Sequence, residues 1–173
     1  MLNKKTESQI LNFLFSRDKV FILHHWDADG IASASLLKEF LQTNHDITVE
    51  NHVPEIPTYI IDDAVISSIR SFDPDAIVVL DIGIPPRKYD KIQEMFGTNV
   101  IVIDHHKQDD VPRQAFFLNP VALQGADVPS TTYLLKEFLG LRDCLRMIMG
   151  VIGDLGIKKL KEHAIFPRVE RYL

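Results

Sequence analysis

The residues of this chain that could do chemistry fall in short clusters, each placed at the end of an apolar run. His25, Asp27 and Asp29 alternate in His25-Trp26-Asp27-Ala28-Asp29-Gly30. Alternate residues of an extended segment point the same way, so three potential ligands would share one side. Gly30 permits a tight exit into a helix. A plainer reading makes Asp29 the cap of that helix. Asp81 follows Ala76-Ile77-Val78-Val79-Leu80, and Asp104-His105-His106 follows the apolar run 100–103. Alone, Asp81 is also what a buried strand shows where it leaves the core. The Asp-His-His run resists a bland reading, because two adjacent histidines cannot both face the core from an extended chain. Asp154 stands in Gly150-Val151-Ile152-Gly153-Asp154, after the apolar stretch 145–152. Its glycines predict close approach of the backbone to a neighbour. An Asp at a helix C-terminus is disfavoured by the helix dipole, which a nearby cation would offset. Imidazole and carboxylate together suit Mn, Fe, Co or Zn better than Mg or Ca.

The elements that must position these residues are legible from periodicity. Thr6 and Gln9 have the spacing of a capping box for a first helix through Ile10, Leu14 and Phe15. Residues 19–24 read as a buried strand, and Ile31, Ala34, Leu37 and Leu41 recur with helical spacing. A second strand over 47–53 is stopped by Pro54 and Pro57, and Asp62 or Asp63 opens a helix carrying Val65, Ile66 and Ile69. Strand 75–80 is followed by a helix that starts at Pro85-Pro86, runs through Tyr89, Ile92 and Met95, and ends at Gly97. Strands over 99–103 and 116–118 follow, the latter stopped by Asn119-Pro120, then helices over 130–139 and 142–152. This alternation predicts an α/β fold: a mainly parallel sheet of about five strands with helices on both faces. Sites in such sheets lie beyond the carboxyl ends of the strands, where the clusters above fall.

Composition excludes several classes. The chain has 173 residues, 46% hydrophobic and 25% charged, within the range of a single globular domain. Its apolar runs are strand-sized, too short to span a bilayer, and its first residues do not resemble a signal peptide. A single cysteine, Cys144, rules out an internal disulfide and fits a reducing, cytoplasmic setting. His24, His45, His52 and His163 read as surface or supporting groups. Trp26 reads as a packing or rim residue rather than a platform for stacking bases, and Cys144 as inert core on the apolar side of a helix.

Five stretches, in this order, resemble the motifs of the DHH phosphoesterases, a family that includes RecJ-type nucleases, nanoRNases and family II inorganic pyrophosphatases. The similar stretches are 25–34, Leu80-Asp81-Ile82-Gly83, Ile103-Asp104-His105-His106, the region from Asn119-Pro120 to Gly125 with Pro129-Ser130-Thr131-Thr132, and 150–154. The resemblance implies two divalent metal ions, Mn2+ foremost with Mg2+ or Co2+ as substitutes. One would be held by His25, Asp27 and Asp81, the other by Asp29, Asp81, His105 and Asp154, with Asp81 between them. It further implies a catalytic role for Asp81, Asp104 as a supporting group or accessory ligand, and His106 as a contact to the scissile phosphate. Ser130, Thr131 and Asn119 are expected at the substrate. Ser130 also fits a plain helix cap. Two divalent ions would take the formal net charge from −5 to −1, so the acidic balance does not exclude a polyanionic substrate.

The tight Asp-Ala-Asp-Gly of the first motif is similar to the RecJ-related branch. The implied activity is exonucleolytic hydrolysis of phosphodiester bonds in single-stranded DNA, RNA or short oligonucleotides by a two-metal activated water. A nanoRNase, bisphosphate phosphatase or pyrophosphatase-like hydrolase is the alternative. So is a non-catalytic scaffold among replication or repair proteins. The expected division is a metal-binding domain over 1–156 and a basic tail or linker over 157–173, leading to a substrate-binding domain outside this sequence. The tail carries Lys158, Lys159, Lys161, Arg168 and Arg171 against Glu162 and Glu170.

Overall fold

Apolar runs that are continuous rather than alternating must be buried on both faces, and the strand runs 20–24, 76–80 and 100–103 of this chain are. The computed structural model describes residues 4–55 and 61–173; Pro57, expected to help stop the second strand, lies outside them. Five strands, β1 (Lys19–His24), β2 (Thr48–His52), β3 (Ala76–Leu80), β4 (Asn99–Ile103) and β5 (Phe116–Leu118), form one sheet in the order β2-β1-β3-β4-β5. Every pairing is parallel. Alternate residues feed two cores. Val20, Ile22, Val78, Leu80, Ile101 and Ile103 pack on one face. Phe21, Leu23, Ile77, Val79, Val100 and Val102 pack on the other.

The helices are α1 (Lys4–Phe15), α2 (Ala28–His45), α3 (Asp63–Phe72), α4 (Pro86–Phe96), α5 (Pro120–Gln124), α6 (Thr131–Phe138), α7 (Leu145–Glu162) and α8 (Phe166–Glu170). Residues of α1, α2 and α6 build the first core, and those of α3 and α4 the second. Asp62 caps α3 by accepting from the Val65 amide, and Gly97 ends α4 in the left-handed conformation.

Several expectations need correction. Lys4 and Lys5 are already helical, so Thr6 lies inside α1 and caps nothing. Ile31 is 53% exposed. Ala34, Leu37 and Leu41 are buried as expected, and Asp29, Gly30, Ala32, Ser33 and Leu36 join them because α2 is packed against α6 and α7 as well as the sheet. α7 starts three residues later than predicted and runs on past Asp154, with a break at Gly156 (φ 63°, ψ 159°). Beyond that break Leu160, Ile165 and Val169 are buried with Met147, Ile148 and Val151 in a third apolar cluster. Cys144 precedes α7 as its half-buried N-cap residue, not on a helix face.

Candidate metal centre

The strand order reverses direction between β1 and β3, the crevice where α/β sheets place ligands. β1 ends at His24, whose imidazole is buried and held neutral by that burial, its pKa pushed below the usual value. His24 Nδ1 lies 2.8 Å from the His25 carbonyl and Nε2 3.2 Å from Asn51 Nδ2, so the ring ties down the backbone that presents His25. Asp27 is the N-cap of α2, accepting from the Gly30 amide at 3.0 Å, and its carboxylate also lies 2.8 Å from His25 Nδ1. Burial opposes ionisation of Asp27, but the Gly30 amide and His25 outweigh it and hold its pKa low. The cap is thus Asp27, and Asp29 is free for another role. Gly30 is required by close approach: a Cβ there would collide with the His25 carbonyl.

Asp29 sits in the first turn of α2 with no exposed surface. Its carboxylate accepts from the Thr131 amide at 2.6 Å, the Thr132 amide at 2.9 Å and the Thr132 hydroxyl at 2.5 Å. These are the first amides of α6, donors that a helix leaves unpaired and that favour an anion. α7 closes over the same carboxylate at Gly150, where a Cβ would run into Asp29 and Thr132. This is the close approach that the paired glycines predicted.

Asp81 ends β3 with φ 60°, a left-handed conformation uncommon for a residue with a side chain. The turn aims its buried carboxylate at the ends of β1 and β4. Oδ1 accepts from the Thr131 hydroxyl at 2.9 Å. β4 delivers Asp104, His105 and His106. His105 Nδ1 is 3.3 Å from the Val128 carbonyl, which leaves Nε2 facing Asp154 (3.0 Å), Asp81 (3.5 Å) and Asp29 (4.0 Å). A histidine tethered through one ring nitrogen and offering the other is the usual form of a metal ligand. Asp104 is fully buried. One oxygen lies 2.7 Å from His106 Nδ1 and the other accepts from Gln108 Nε2 at 3.1 Å. Gly83 lies under the His106 ring.

Two ligand sets result, His25/Asp27/Asp81 and Asp29/Asp81/His105/Asp154, each with its donor atoms within 4.8 Å of one another. Donors about 2.1 Å from one ion sit roughly 3–4.2 Å apart, so the spacing suits a metal. A third set, Asp81/His105/His106, meets the same distance limit. Asp81 Oδ2, His105 Nε2 and Asp154 Oδ2 are buried and, apart from the ion-pair approach of His105 to the carboxylates, have no hydrogen-bond partner among the described residues. Buried polar atoms are ordinarily satisfied; here three converge on one space. The electrostatics agree. Burial, with repulsion from Asp29 and Asp154, pushes Asp81 up to about 8. Burial and Asp154 likewise raise Asp29. Burial works against a charged His105, but Asp154 and Asp81 outweigh it and hold its pKa up to about 11. So many carboxylates packed around an imidazole need positive charge, and the donor set fits divalent cations.

All seven residues expected around metals or their phosphate contact, namely His25, Asp27, Asp29, Asp81, His105, His106 and Asp154, are brought together, with Asp104 behind His106. Ser130, Thr131 and Asn119, expected at the substrate, are engaged within the protein. All three are fully buried. Ser130 caps α6, Thr131 donates to Asp29 and Asp81, and Asn119 caps α5 while donating to the His106 carbonyl at 2.9 Å. The donors of Thr131 and Asn119 are spent on holding the site in shape, while the Ser130 hydroxyl accepts from the Tyr133 amide. Sequence reasoning missed Thr132, Gln108 and Tyr89, whose hydroxyl donates to the Ile82 carbonyl and lies 3.4 Å from Gln108. Only Thr132 carried a signal, its adjacency to a helix start.

The N-terminal domain model of the DHH family matches residues 19–152. The single-stranded-DNA-specific exonuclease RecJ of Bacillus subtilis (strain 168) is 24% identical over 155 residues, which cover 88% of this chain and 19% of that protein. A crystal structure of exonuclease RecJ bound to manganese superposes with a TM-score of 0.62 at 19% identity, over 87% of this chain and 41% of that one. CDC45 from Entamoeba histolytica also reaches 0.62, at 13% identity, over 99% of this chain and 37% of that one. At such identities the structures speak to fold alone, and the chain spans about a fifth of the length of its curated relative. The matched span takes in all five strands and every ligand-type side chain described above except Asp154, two residues beyond it, and on that match the chain belongs to the DHH family.

Proposed function

We propose that this chain forms the metal-holding half of a phosphoesterase that hydrolyses phosphodiester bonds in single-stranded nucleic acid, with two divalent ions. The observation that carries the reading is the pair of ligand sets that meet at Asp81. His25, Asp27 and Asp81 would hold one ion, and Asp29, Asp81, His105 and Asp154 the other. Such a pair of ions, when bound, lowers the pKa of water and neutralises phosphate oxygens.

The chain's own residues divide the remaining work. Asp104 engages His106 Nδ1, so Nε2 is the nitrogen left for a phosphate oxygen. The Asp104 hydrogen bond also raises the His106 pKa, although burial opposes it, which favours the cation. A cationic Nε2–H gives a charge-assisted hydrogen bond that strengthens as negative charge grows on the phosphate. Thr131 and Thr132 hold Asp29 and Asp81 in place, so the carboxylates need not reorganise during the reaction. The family match and the named activity of the Bacillus subtilis relative support the choice of substrate.

The test is hydrolysis of an end-labelled single-stranded oligonucleotide in Mn2+, with and without chelator. Wild type should be active and chelator-sensitive, and Asp81→Asn at least about 100-fold slower. Equal rates for wild type and variant would leave a scaffold without catalysis. Turnover confined to pyrophosphate would leave a small-molecule hydrolase.

A further inference from the structure

Trp26 is the chain's sole tryptophan, and 48% of it is exposed. Large aromatic side chains are among the most buried on average, and this one stands between two of the proposed ligands, His25 and Asp27. Its ring lies 5.5 Å from the His25 ring, at 42°. Neither of the two main cores nor the third apolar cluster includes it. The backbone around it is held firmly, by His24 on one side and the α2 cap on the other. A rigidly mounted, half-exposed indole beside a phosphate-handling centre is poorly explained by packing.

We infer that Trp26 is a stacking platform for a nucleobase adjacent to the phosphate bound at the metal centre. This rests on the phosphoesterase reading and narrows it to substrates that carry bases. Every base has a π face, so an aromatic platform accepts strands with little regard to sequence. A single platform at the centre suits a single strand, whose bases are unpaired and free to turn onto it. A base in a duplex would first have to leave its stack. Pyrophosphate has no group for the indole, so the same residue separates the two substrate classes.

Because there is no other tryptophan, emission excited selectively at the red edge, where the four tyrosines do not absorb, reports this residue alone. The experiment titrates the protein, in Mg2+ with a hydrolysis-resistant phosphorothioate backbone, with a single-stranded oligonucleotide and with an abasic strand of equal length. Binding is followed in parallel by anisotropy of a labelled strand. The base-bearing strand should quench or shift the emission saturably, with the same midpoint as the anisotropy, and the abasic strand should not. Trp26→Ala should weaken binding of the base-bearing strand roughly 5–150-fold, the range of one lost base–aromatic stack, and weaken the abasic strand less. Trp26→Phe should recover most of the loss. A strand that binds by anisotropy without moving the emission overturns the inference, as does equal quenching by the abasic strand. Either result leaves the phosphoesterase reading intact if hydrolysis remains chelator-sensitive. No binding of either strand, with turnover of pyrophosphate, removes the nucleic-acid reading and the platform together.

Discussion

At the scale of single residues, the site depends on atoms that never touch substrate. Asp29 is buried, its charge is repelled by Asp154, and it keeps its geometry through two amides and a hydroxyl of α6. Replacing Thr132 by Val removes the hydroxyl and preserves shape, while the Thr132 amide stays. The expected result is a folded protein with metal affinity reduced about 10–100-fold, the usual effect of losing a group that orients a ligand. Calorimetric titration with Mn2+ measures it, and unchanged affinity would mean that the amides alone suffice. Asp81 is a different case. Its φ of 60° stores backbone strain at the point that both ligand sets share.

At the scale of elements, the packing of α7 on α2 is what brings Asp154 to the strand ends. Gly150 and Gly153 let the two helices touch, Gly150 over Asp29 and Thr132 and Gly153 over Ala28. The change Gly150→Ala sets two effects against each other. Helix propensity alone would stabilise by about 1 kcal/mol. A methyl group forced against a buried carboxylate and hydroxyl costs about 1–3 kcal/mol. The clash is with groups clamped by hydrogen bonds, so the sum should be destabilising and should shift the urea midpoint downward. Metal affinity should fall with it, because the helix carrying Asp154 must move. A stabilised variant would show that α7 yields more easily than its contacts suggest.

At the scale of the whole molecule, the segment after Gly156 is tied back to the domain. Leu160, Ile165 and Val169 bury against Met147, Ile148 and Val151 in the first part of α7, and Arg168 pairs with Asp143 and Glu137. Arg168, about a third of its side chain still exposed, is therefore engaged by two carboxylates of its own chain. The Arg168 hydrogen bond, together with Lys136 and against burial, holds Asp143 at about 2, below its ordinary 3.8. A depressed folded pKa contributes stability that is complete above the unfolded value and lost as pH falls through the folded one. Acid unfolding should accordingly steepen between about pH 4 and pH 2, and Asp143→Asn should flatten that window while lowering stability at neutral pH by about 1.5–3 kcal/mol. Thermal melts across that range check both. Equal slopes in the two proteins would place the acid sensitivity elsewhere.

The sequence by itself determined the class of fold, which is written in local patterns, and its resemblance to the DHH motifs supplied the candidate ligands. Apolar runs of strand length specify a doubly covered sheet, and each run here stops at His25, Asp81 or Asp104, so the strand ends name the site. Asp154 was found through its glycines, although the helix was expected to end before it. The tertiary structure alone decided what the buried donors are for. Ser130, Thr131 and Asn119 carry the residue types of a phosphate cradle, yet Thr131 and Asn119 donate to Asp29, Asp81 and the His106 carbonyl from other elements, and Ser130 accepts from the local Tyr133 amide. Local sequence shows that a helix start has free donors and not which anion will arrive there. The same holds for Trp26, whose exposure depends on which elements cover it and cannot be read from its neighbours in the chain.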